Sequence, residues 1–527
     1  MKKVIWDFLI GDDAADGGRG PTWRLAMGVT AVFLVIAGVA AWHHEFWRDE
    51  MQAWLIARDL KTLPALLEQA HYEGAPPLWS LMLKLLALIT PRPEIVQVLN
   101  WVLAGVTVFL FTAYGRFSGL QKVLLAGNYY LLFEYGTVCR NYLPGVLGLT
   151  VACVLYPAAG RRPWWFAAAL VFTAMTSVHA LILAVAMAAA FWGARILRAA
   201  GVLKKEGVAR EPLHIGALVT VVAGVGLAVY SMLPRPDTLY GAAEEWHWNW
   251  IPERLEKVAC ALVYSHFPWP RPQGFFWIPP WDTPFPSFDP LTMLVLAGVL
   301  IAAGVMLFRR SATALIFYVA GTVGVGAFLY LKYLGFMRHT GFLFLVFLFA
   351  WWIAGADRVK PVAKSWVRWW AGAAGAVLFT VMLGAQAITG MNAVARDVKQ
   401  PFSCGKLAAA YLVEAGLSEE FIAIGPDWAG APVAGYLGRT VYYPYAERHG
   451  SFVIWNRERR DNMSDEEFYE TAAKEAKGAR MVILLDHPMS DELMAKHGIV
   501  FLKQLGGSLT PFEDYYVHLA EGKPESP

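Results

Sequence analysis

Long uncharged apolar runs recur along most of this chain, and they constrain its fold more than any other feature. They fall at 25–42, 76–90, 95–114, 120–138, 141–157, 163–178, 179–194, 213–233, 291–308, 312–330, 339–355 and 369–390. A helix needs ~20 apolar residues to cross a bilayer. Several runs are shorter than that, so they are expected to be tilted or broken where they face protein rather than lipid. Hydrophobicity does not alternate along them, which argues against a β-barrel. Hydrophobic residues make up 57% of the chain and charged residues only 17%, a balance foreign to soluble proteins of this length. The expected class is a polytopic α-helical membrane protein. A net charge of +3, unevenly spread, speaks against nucleic acid as a partner. Residues 1–22 are polar, and no small-residue cleavage site precedes Trp42, so the first run is expected to be a retained helix. Cys139, Cys153, Cys260 and Cys404 lack metal-ligand spacing and are expected to be unpaired thiols.

Lys and Arg in short loops orient such a chain. Arg198, Lys204, Lys205 and Arg210 mark 195–212 as cytoplasmic; Arg309 and Arg310 mark a second loop, and Arg358, Lys360, Lys364 and Arg368 mark 356–368. With Lys2, Lys3, Arg19 and Arg24 inside, outer loops fall at 43–75 and 234–290, and everything after about residue 391 is outside. An even number of crossings must precede Arg195, yet the runs supply an odd number. Either 163–194 is one crossing, or a short segment is re-entrant, or one crossing is missing. The total is expected to be odd, roughly 11–13. The chain then divides into a membrane domain at 1–390 and an extracytoplasmic domain at 391–527.

The loop after the first run carries the chemistry. Glu45, Arg48, Asp49, Glu50, His71 and Glu73 stand there against an apolar background, where ionised carboxylates are costly unless paired, hydrated or used. The order is W-R-D-E-M-Q-A-W-L-I-A-R-D, then an amphipathic connector, then H-Y-E-G-A-P-P-L-W. It resembles the first extracytoplasmic loop of polyprenyl-phosphate-sugar-dependent membrane glycosyltransferases of the GT-C superfamily, which includes protein O-mannosyltransferases and aminoarabinose transferases. The resemblance implies that the acidic pair Asp49 and Glu50 carries the reaction and that Pro76, Pro77 and Leu78 open the second helix. It also favours the larger helix count. That family often has His directly before Pro-Pro-Leu, where this chain has Ala75; either His71 folds back to replace it or the role is absent. Arg140-Asn141-Tyr142 matches an Arg-x-Tyr-like element of the family, and Lys332, Tyr333, Arg338 and His339 resemble a group used near the donor phosphate.

Moving a sugar off a lipid phosphate needs a base for the acceptor hydroxyl, positive charge for the leaving phosphate and a dry slot for the prenyl tail. Asp49 is the expected base of a direct, inverting displacement, because two-step retention would need a second carboxylate as nucleophile. Glu50, about 100° away on a helix, is the second candidate or an orienter of Arg48 or of the acceptor. Arg140, Tyr142, Lys332 and Arg338 are expected at the donor phosphate, where arginine forks pair with its oxygens; snorkelling to lipid headgroups is the alternative for the cations. His71, Glu73 and His339 are expected to support the acceptor or its loop. No cofactor is expected to be required, and Asp49, His71 and Glu73 are the candidates for a divalent cation. Asn128, Glu134 and His179 lie inside apolar runs and are expected to serve helix packing.

The second outer loop, 234–290, is rich in Trp and Pro with an amphipathic piece at 252–265, and is expected at the lipid headgroup level as a lid or an acceptor-gating loop. From about Val394 strand-like segments (EEFIAIG, TVYYPY, MVILLD, DYYVHLA) alternate with helical ones (AGAPVAGYLGR, DEEFYETAAKEAKG, SDELMAKHG), the pattern of a small α/β domain. No G-x-G-x-x-G or G-K-[ST] follows any of those strands, so it is expected to be accessory rather than nucleotide-binding. The function implied is transfer of a sugar from a polyprenyl-monophosphate donor to a protein, glycolipid or polysaccharide acceptor on the outer face of a bacterial inner membrane, among membrane lipids, in cell-envelope glycosylation. A polytopic transporter is the alternative.

Overall fold

The computed structural model describes residues 23–203, 212–239, 246–269, 289–357, 366–460 and 462–522, with side chains from 373 onward in the helix that starts at Trp366. Lys2, Lys3, Arg19, Lys204, Lys205, Arg210, Arg358, Lys360, Lys364 and the side chain of Arg368 lie outside the described residues, as does the aromatic stretch 270–288.

Seven described helices are long and apolar enough to cross a membrane: Trp23–His43, Glu94–Tyr114, Val178–Ala199, Pro290–Phe308, Ala312–Leu331, Met337–Ala356 and Ala373–Asp397. Shorter apolar helices, Leu78–Ala87, Tyr142–Ala158, Pro163–Ala174 and Ile215–Ser231, accompany them. The chain is a multi-pass helical membrane protein with a C-terminal α/β domain. Large apolar side chains such as Val32, Val35, Leu85, Val219 and Val299 are exposed on these helices, as suits surfaces that meet lipid.

One of the apolar runs departs from a regular helix. The run 120–138 is broken: a helix Gly119–Ala126 gives way to a π-helical turn, Tyr129–Glu134. Asn128 sits at the break, its Oδ1 accepting from the amides of Tyr130 at 3.0 Å and Leu131 at 3.2 Å. All of Tyr129–Glu134 is buried in protein, so no lipid demands a regular helix there. The stretch 163–194 forms two helices, Pro163–Ala174 and Val178–Ala199, rather than one continuous helix. Ser177 separates them, its hydroxyl accepting from the Ala180 amide at 3.2 Å as an N-cap.

By contact the chain gathers into two units. One comprises the described residues of Met1–Val39, Leu99–Ser231 and Glu245–Val394. Its most enclosed long helix is Met337–Ala356, buried from Arg338 to Ile353. The amphipathic piece of the second outer loop is the helix Pro252–His266, held by Gln386 Nε2 on the Ser265 carbonyl at 2.7 Å and by the Thr389 hydroxyl on the Pro268 carbonyl at 2.9 Å.

The other unit comprises Ala40–Val98, the described residues of Met232–Glu244, and the described residues of Ala395–Pro527. Its centre is a six-stranded sheet of β1 (Phe421–Gly425), β2 (Val441–Tyr443), β3 (Arg448–Gly450), β4 (Met481–Leu485), β5 (Ile499–Leu505) and β6 (Tyr515–Ala520), in the order β3-β2-β1-β4-β6-β5. β1 runs parallel to β2 and β4, while the outer pairs are antiparallel. β4 is buried along its whole length, which is why MVILL reads as a continuous apolar run rather than an alternating one. Ile422, Ile424, Val482 and Leu484 face one layer of helices and Ala423, Met481, Ile483 and Leu485 the other. Strand β5 was not expected: as an edge strand with Val500 and Phe501 exposed, it lacks a buried face to mark it. The first-loop helix Arg48–Asp59 packs in this unit against the helix Gly430–Leu437. Gly435 lies at that contact, where a Cβ would fall 2.3 Å from the Met51 sulfur and displace that side chain.

Candidate functional site

Asp49 and Glu50 open the helix Arg48–Asp59, as the acidic pair suggests, but they are held very differently. Asp49 is half-buried in the first turn, near the positive end of the helix. Glu50 is buried, its Oε2 meeting His44 Nε2 at 2.9 Å and the Trp47 amide at 3.4 Å. The other nitrogen of His44 meets Asp397 Oδ2 at 2.9 Å, so one imidazole lies between two buried carboxylates. Carboxylates only accept, so both ring nitrogens donate when both acids are ionised, and His44 is then an imidazolium. Burial works to lower the affinity of His44 for its proton, but Glu50 and Asp397 raise it further, leaving its pKa well above the usual histidine value. The same turn is capped from the C-terminal region: Glu513 Oε1 accepts from the Arg48 amide at 3.0 Å, and the Arg48 guanidinium lies over the Trp428 ring at 4.4 Å.

His71 and Glu73 end the helix Leu63–Glu73 and tie it to its neighbours. His71 Nδ1 donates to the Leu233 carbonyl at 2.6 Å, linking the two outer loops. Glu73 Oε1 accepts from Gln52 Nε2 at 3.2 Å and Gln69 Nε2 at 3.0 Å. Gln52 lies one turn after Asp49 and also bonds the Val453 backbone, donating to its carbonyl at 2.7 Å. The segment after Leu233 bonds further here, with Arg235 on Glu68, Tyr72 on Asp237, and the Leu239 amide on the Trp455 carbonyl at 2.9 Å. Among the described residues no three His, Cys, Asp or Glu side chains group as a metal site. The four cysteines are free thiols, as their spacing implies.

In the helical unit, residues from well-separated stretches converge. Tyr142 Oη lies 2.9 Å from His339 Nε2, and the Arg140 guanidinium is 5.9 Å from the Tyr142 ring. Arg338 is buried beside His339, and the Tyr135 hydroxyl donates to the Arg338 carbonyl at 2.9 Å. Lys332, also buried, lies 5.6 Å from the Trp246 ring. His179, expected to serve helix packing, packs against His339 with ring centroids 5.1 Å apart and the planes tilted by 37°. Glu134 and Asn128 do take structural partners, Tyr129 Oη at 2.6 Å and the π-helical amides.

Sequence reasoning did not single out His44, Gln52, Asp397 or Glu513. His44 lies in W-H-H-E-F beside the acidic pair, a signal that could have been followed. Asp397 and Glu513 are hundreds of residues away, and nothing local marks them.

The acids around the first-loop helix give a pH dependence. Burial pushes the carboxyls of Glu513 and Glu45 up to about 7, against the opposing pull of Arg48 on the first and Lys406 on the second. Both carboxyls, like His44, hold protons more tightly folded than unfolded. For the carboxyls, the stability this contributes is full below the unfolded value of 4.5 and is lost as pH rises to about 7. The midpoint of thermal unfolding of the purified protein is therefore expected to fall between pH 4.5 and 7, and Glu513→Gln to flatten that slope. An unchanged slope in E513Q would show that Glu513 does not titrate there.

No family model matches this chain, and no curated protein matches it by sequence. Among solved structures it is similar to ArnT from Cupriavidus metallidurans, in a crystal structure bound to undecaprenyl phosphate. The TM-score is 0.49 at 12% sequence identity, covering 94% of this chain and 98% of that one. The likeness concerns chain fold, and the function below is argued from this chain's own residues.

Proposed function

We propose that this chain is a membrane glycosyltransferase that moves a sugar from a polyprenyl-monophosphate donor to an acceptor hydroxyl on the outer face of the inner membrane. The observation that carries the reading is the convergence of Arg140, Tyr142, Arg338 and His339, buried or half-buried, within an otherwise apolar helical unit. Fixed cations in such surroundings suit a phosphate whose attached chain is apolar. In this reading Asp49 takes the proton of the acceptor hydroxyl as its oxygen attacks the anomeric carbon. The bond from that carbon to the phosphate oxygen breaks with inversion, and its electron pair stays on the polyprenyl phosphate, whose added charge Arg140 and Arg338 stabilise. Lys332 adds positive charge nearby, and no metal is required. The acceptor is a protein, glycolipid or polysaccharide of the cell envelope.

The direct test is a panel of polyprenyl-phosphate sugars offered to membranes containing the chain. Release of polyprenyl phosphate with transfer of the sugar supports the reading, and no transfer from any donor, with substrate movement across proteoliposomes instead, refutes it. Arg140→Lys and Arg338→Lys are each expected to weaken donor binding by roughly tenfold despite keeping the charge, because the bidentate geometry is lost.

We also propose 11 crossings, counting the seven long helices, the broken stretch 119–138 and the helices Tyr142–Ala158, Pro163–Ala174 and Ile215–Ser231. The 10-residue helix Leu78–Ala87 is left out as too short. Glu94–Tyr114 begins beside His44, with Gln97 Nε2 on its carbonyl, and ends with Tyr114 against Trp23, so it returns along the first helix. The stretch 119–138 runs from Gln121 on Thr380 to Tyr135 on the Arg338 carbonyl. That choice supplies the even number needed before Arg195 and sends the tail outside. Cysteines introduced at Lys61, Asn249 and Glu419, all exposed, are expected to react with an impermeant reagent in intact cells. Background is small because Cys139, Cys153 and Cys404 are buried, and Cys260 is replaced by Ser. Labelling at 419 only after lysis would overturn the placement of the tail.

A further inference from the structure

His339 has a fixed proton position, and it follows from two hydrogen bonds. The backbone amide of Phe336 lies 2.8 Å from His339 Nδ1, and an amide can only donate. Nδ1 is therefore the bare, accepting nitrogen, and the ring proton of the neutral imidazole sits on Nε2. Nε2 in turn lies 2.9 Å from Tyr142 Oη, so the imidazole donates to the phenol oxygen. The phenol proton is then left to point away from His339. His339 is the only hydrogen-bond partner of Tyr142 Oη among the described residues.

The surroundings hold this arrangement. Tyr333, His179 and Phe342 pack around the two rings: Tyr333 and His179 lie 5.2 and 5.1 Å from His339, and Phe342 is 6.1 Å from Tyr142. Gly335 adopts φ 71°, and a Cβ there would fall 2.6 Å from His339 Nδ1, so the loop before Met337–Ala356 keeps a glycine where the ring must approach the backbone. Tyr142 Oη is thus a buried hydroxyl supplied with one donor, on a ring 5.9 Å from the Arg140 guanidinium, and its own proton has no acceptor among the described residues.

We propose that His339 is a positioning residue that makes the Tyr142 hydroxyl a dedicated hydrogen-bond donor to a phosphate oxygen of the lipid donor. This rests on the reading of the Arg140–Tyr142–Arg338 cluster as a phosphate site and adds which atom donates and what holds it ready. The sequence offered His339 both roles, a member of the group resembling one near the donor phosphate and a support for the acceptor or its loop; the proposal places it on the donor side. During transfer the hydrogen bond shortens as negative charge grows on the departing phosphate, and no proton need leave Tyr142.

The test measures binding of undecaprenyl phosphate and of undecaprenol to the purified full-length protein, for the parent, Tyr142→Phe (Y142F), His339→Phe (H339F), the double variant Y142F/H339F, and Gly335→Ala. Undecaprenol carries the chain without the phosphate, so its binding reports whether the apolar slot is intact. Y142F and H339F are each expected to weaken undecaprenyl phosphate by roughly tenfold, the scale of one hydrogen bond to a charged group, with undecaprenol unchanged. The double variant is expected to be no weaker than Y142F, because His339 acts only through that hydroxyl. Gly335→Ala is expected to resemble H339F. Additive losses in the double variant, or equal losses for both lipids, would overturn the inference in favour of a merely structural His339. Parental phosphate binding in Y142F, with losses in Arg140→Lys or Arg338→Lys, would overturn it while leaving the phosphate site standing. A parent that does not prefer undecaprenyl phosphate to undecaprenol would remove that site and the inference together.

Discussion

Asp49→Asn is expected to lower single-turnover sugar transfer by ~100-fold or more, the usual worth of a general base, while folding and lipid-donor binding stay near parental. Asparagine keeps the size and most hydrogen bonding of the side chain and removes only the basic lone pair. The prediction is sharp because the neighbouring acid is so differently placed. Asp49 is half-buried at the start of its helix, whereas Glu50 is buried against His44 and the Trp47 amide. Glu50→Gln is accordingly expected to affect folding stability more than the chemical step. Reconstituted D49N, E50Q and parent compared in transfer and in thermal unfolding separate the two acids. Parental transfer in D49N with a dead but folded E50Q would reverse the roles. Full activity in both would remove the loop from the chemistry.

His44→Ala is expected to cost roughly 3–5 kcal/mol of stability, the range for removing one partner from a buried ionic group. Glu50 and Asp397 would then share a buried space with no cation between them, each having lost a 2.9 Å hydrogen bond. The loss should appear as a large drop in unfolding midpoint, and adding Asp397→Asn should recover part of it by removing one of the stranded charges. The recovery is the discriminating result, because a generic cavity left by the imidazole would not respond to a change at residue 397. If His44→Ala melts like the parent, the three groups are not an ionic cluster in the folded protein.

Several features could be read directly from residue order. Apolar runs specify membrane helices because the backbone must satisfy itself in hydrocarbon. The helix carrying Asp49 and Glu50 was legible because an acidic pair followed by M-Q-A-W-L-I-A is a local signal. The same holds for MVILL as a central strand and for the helix Asp465–Ala476, whose Ser464 and Glu467 form a capping box. The break at Asn128 was not legible, since hydrophobicity alone does not distinguish a regular helix from a π-helical turn when both are buried. Edge strand β5 escaped for the opposite reason, having too little burial to pattern it.

The candidate site divides along the same line. Acids and cations among apolar runs need a purpose wherever they sit, and the family resemblance of the segments that carry them singled out Asp49, Glu50, Arg140, Tyr142, Arg338 and His339. What each of them does was decided by partners distant in the chain. Asp397, 353 residues after His44, completes the pair of acids that makes His44 a cation and Glu50 an anchor. The Phe336 amide sets the tautomer of His339, and through it the direction of a tyrosine proton 197 residues earlier in the chain. Hydrogen bonds reach only about 3 Å, so such assignments exist only once the chain has brought those atoms together.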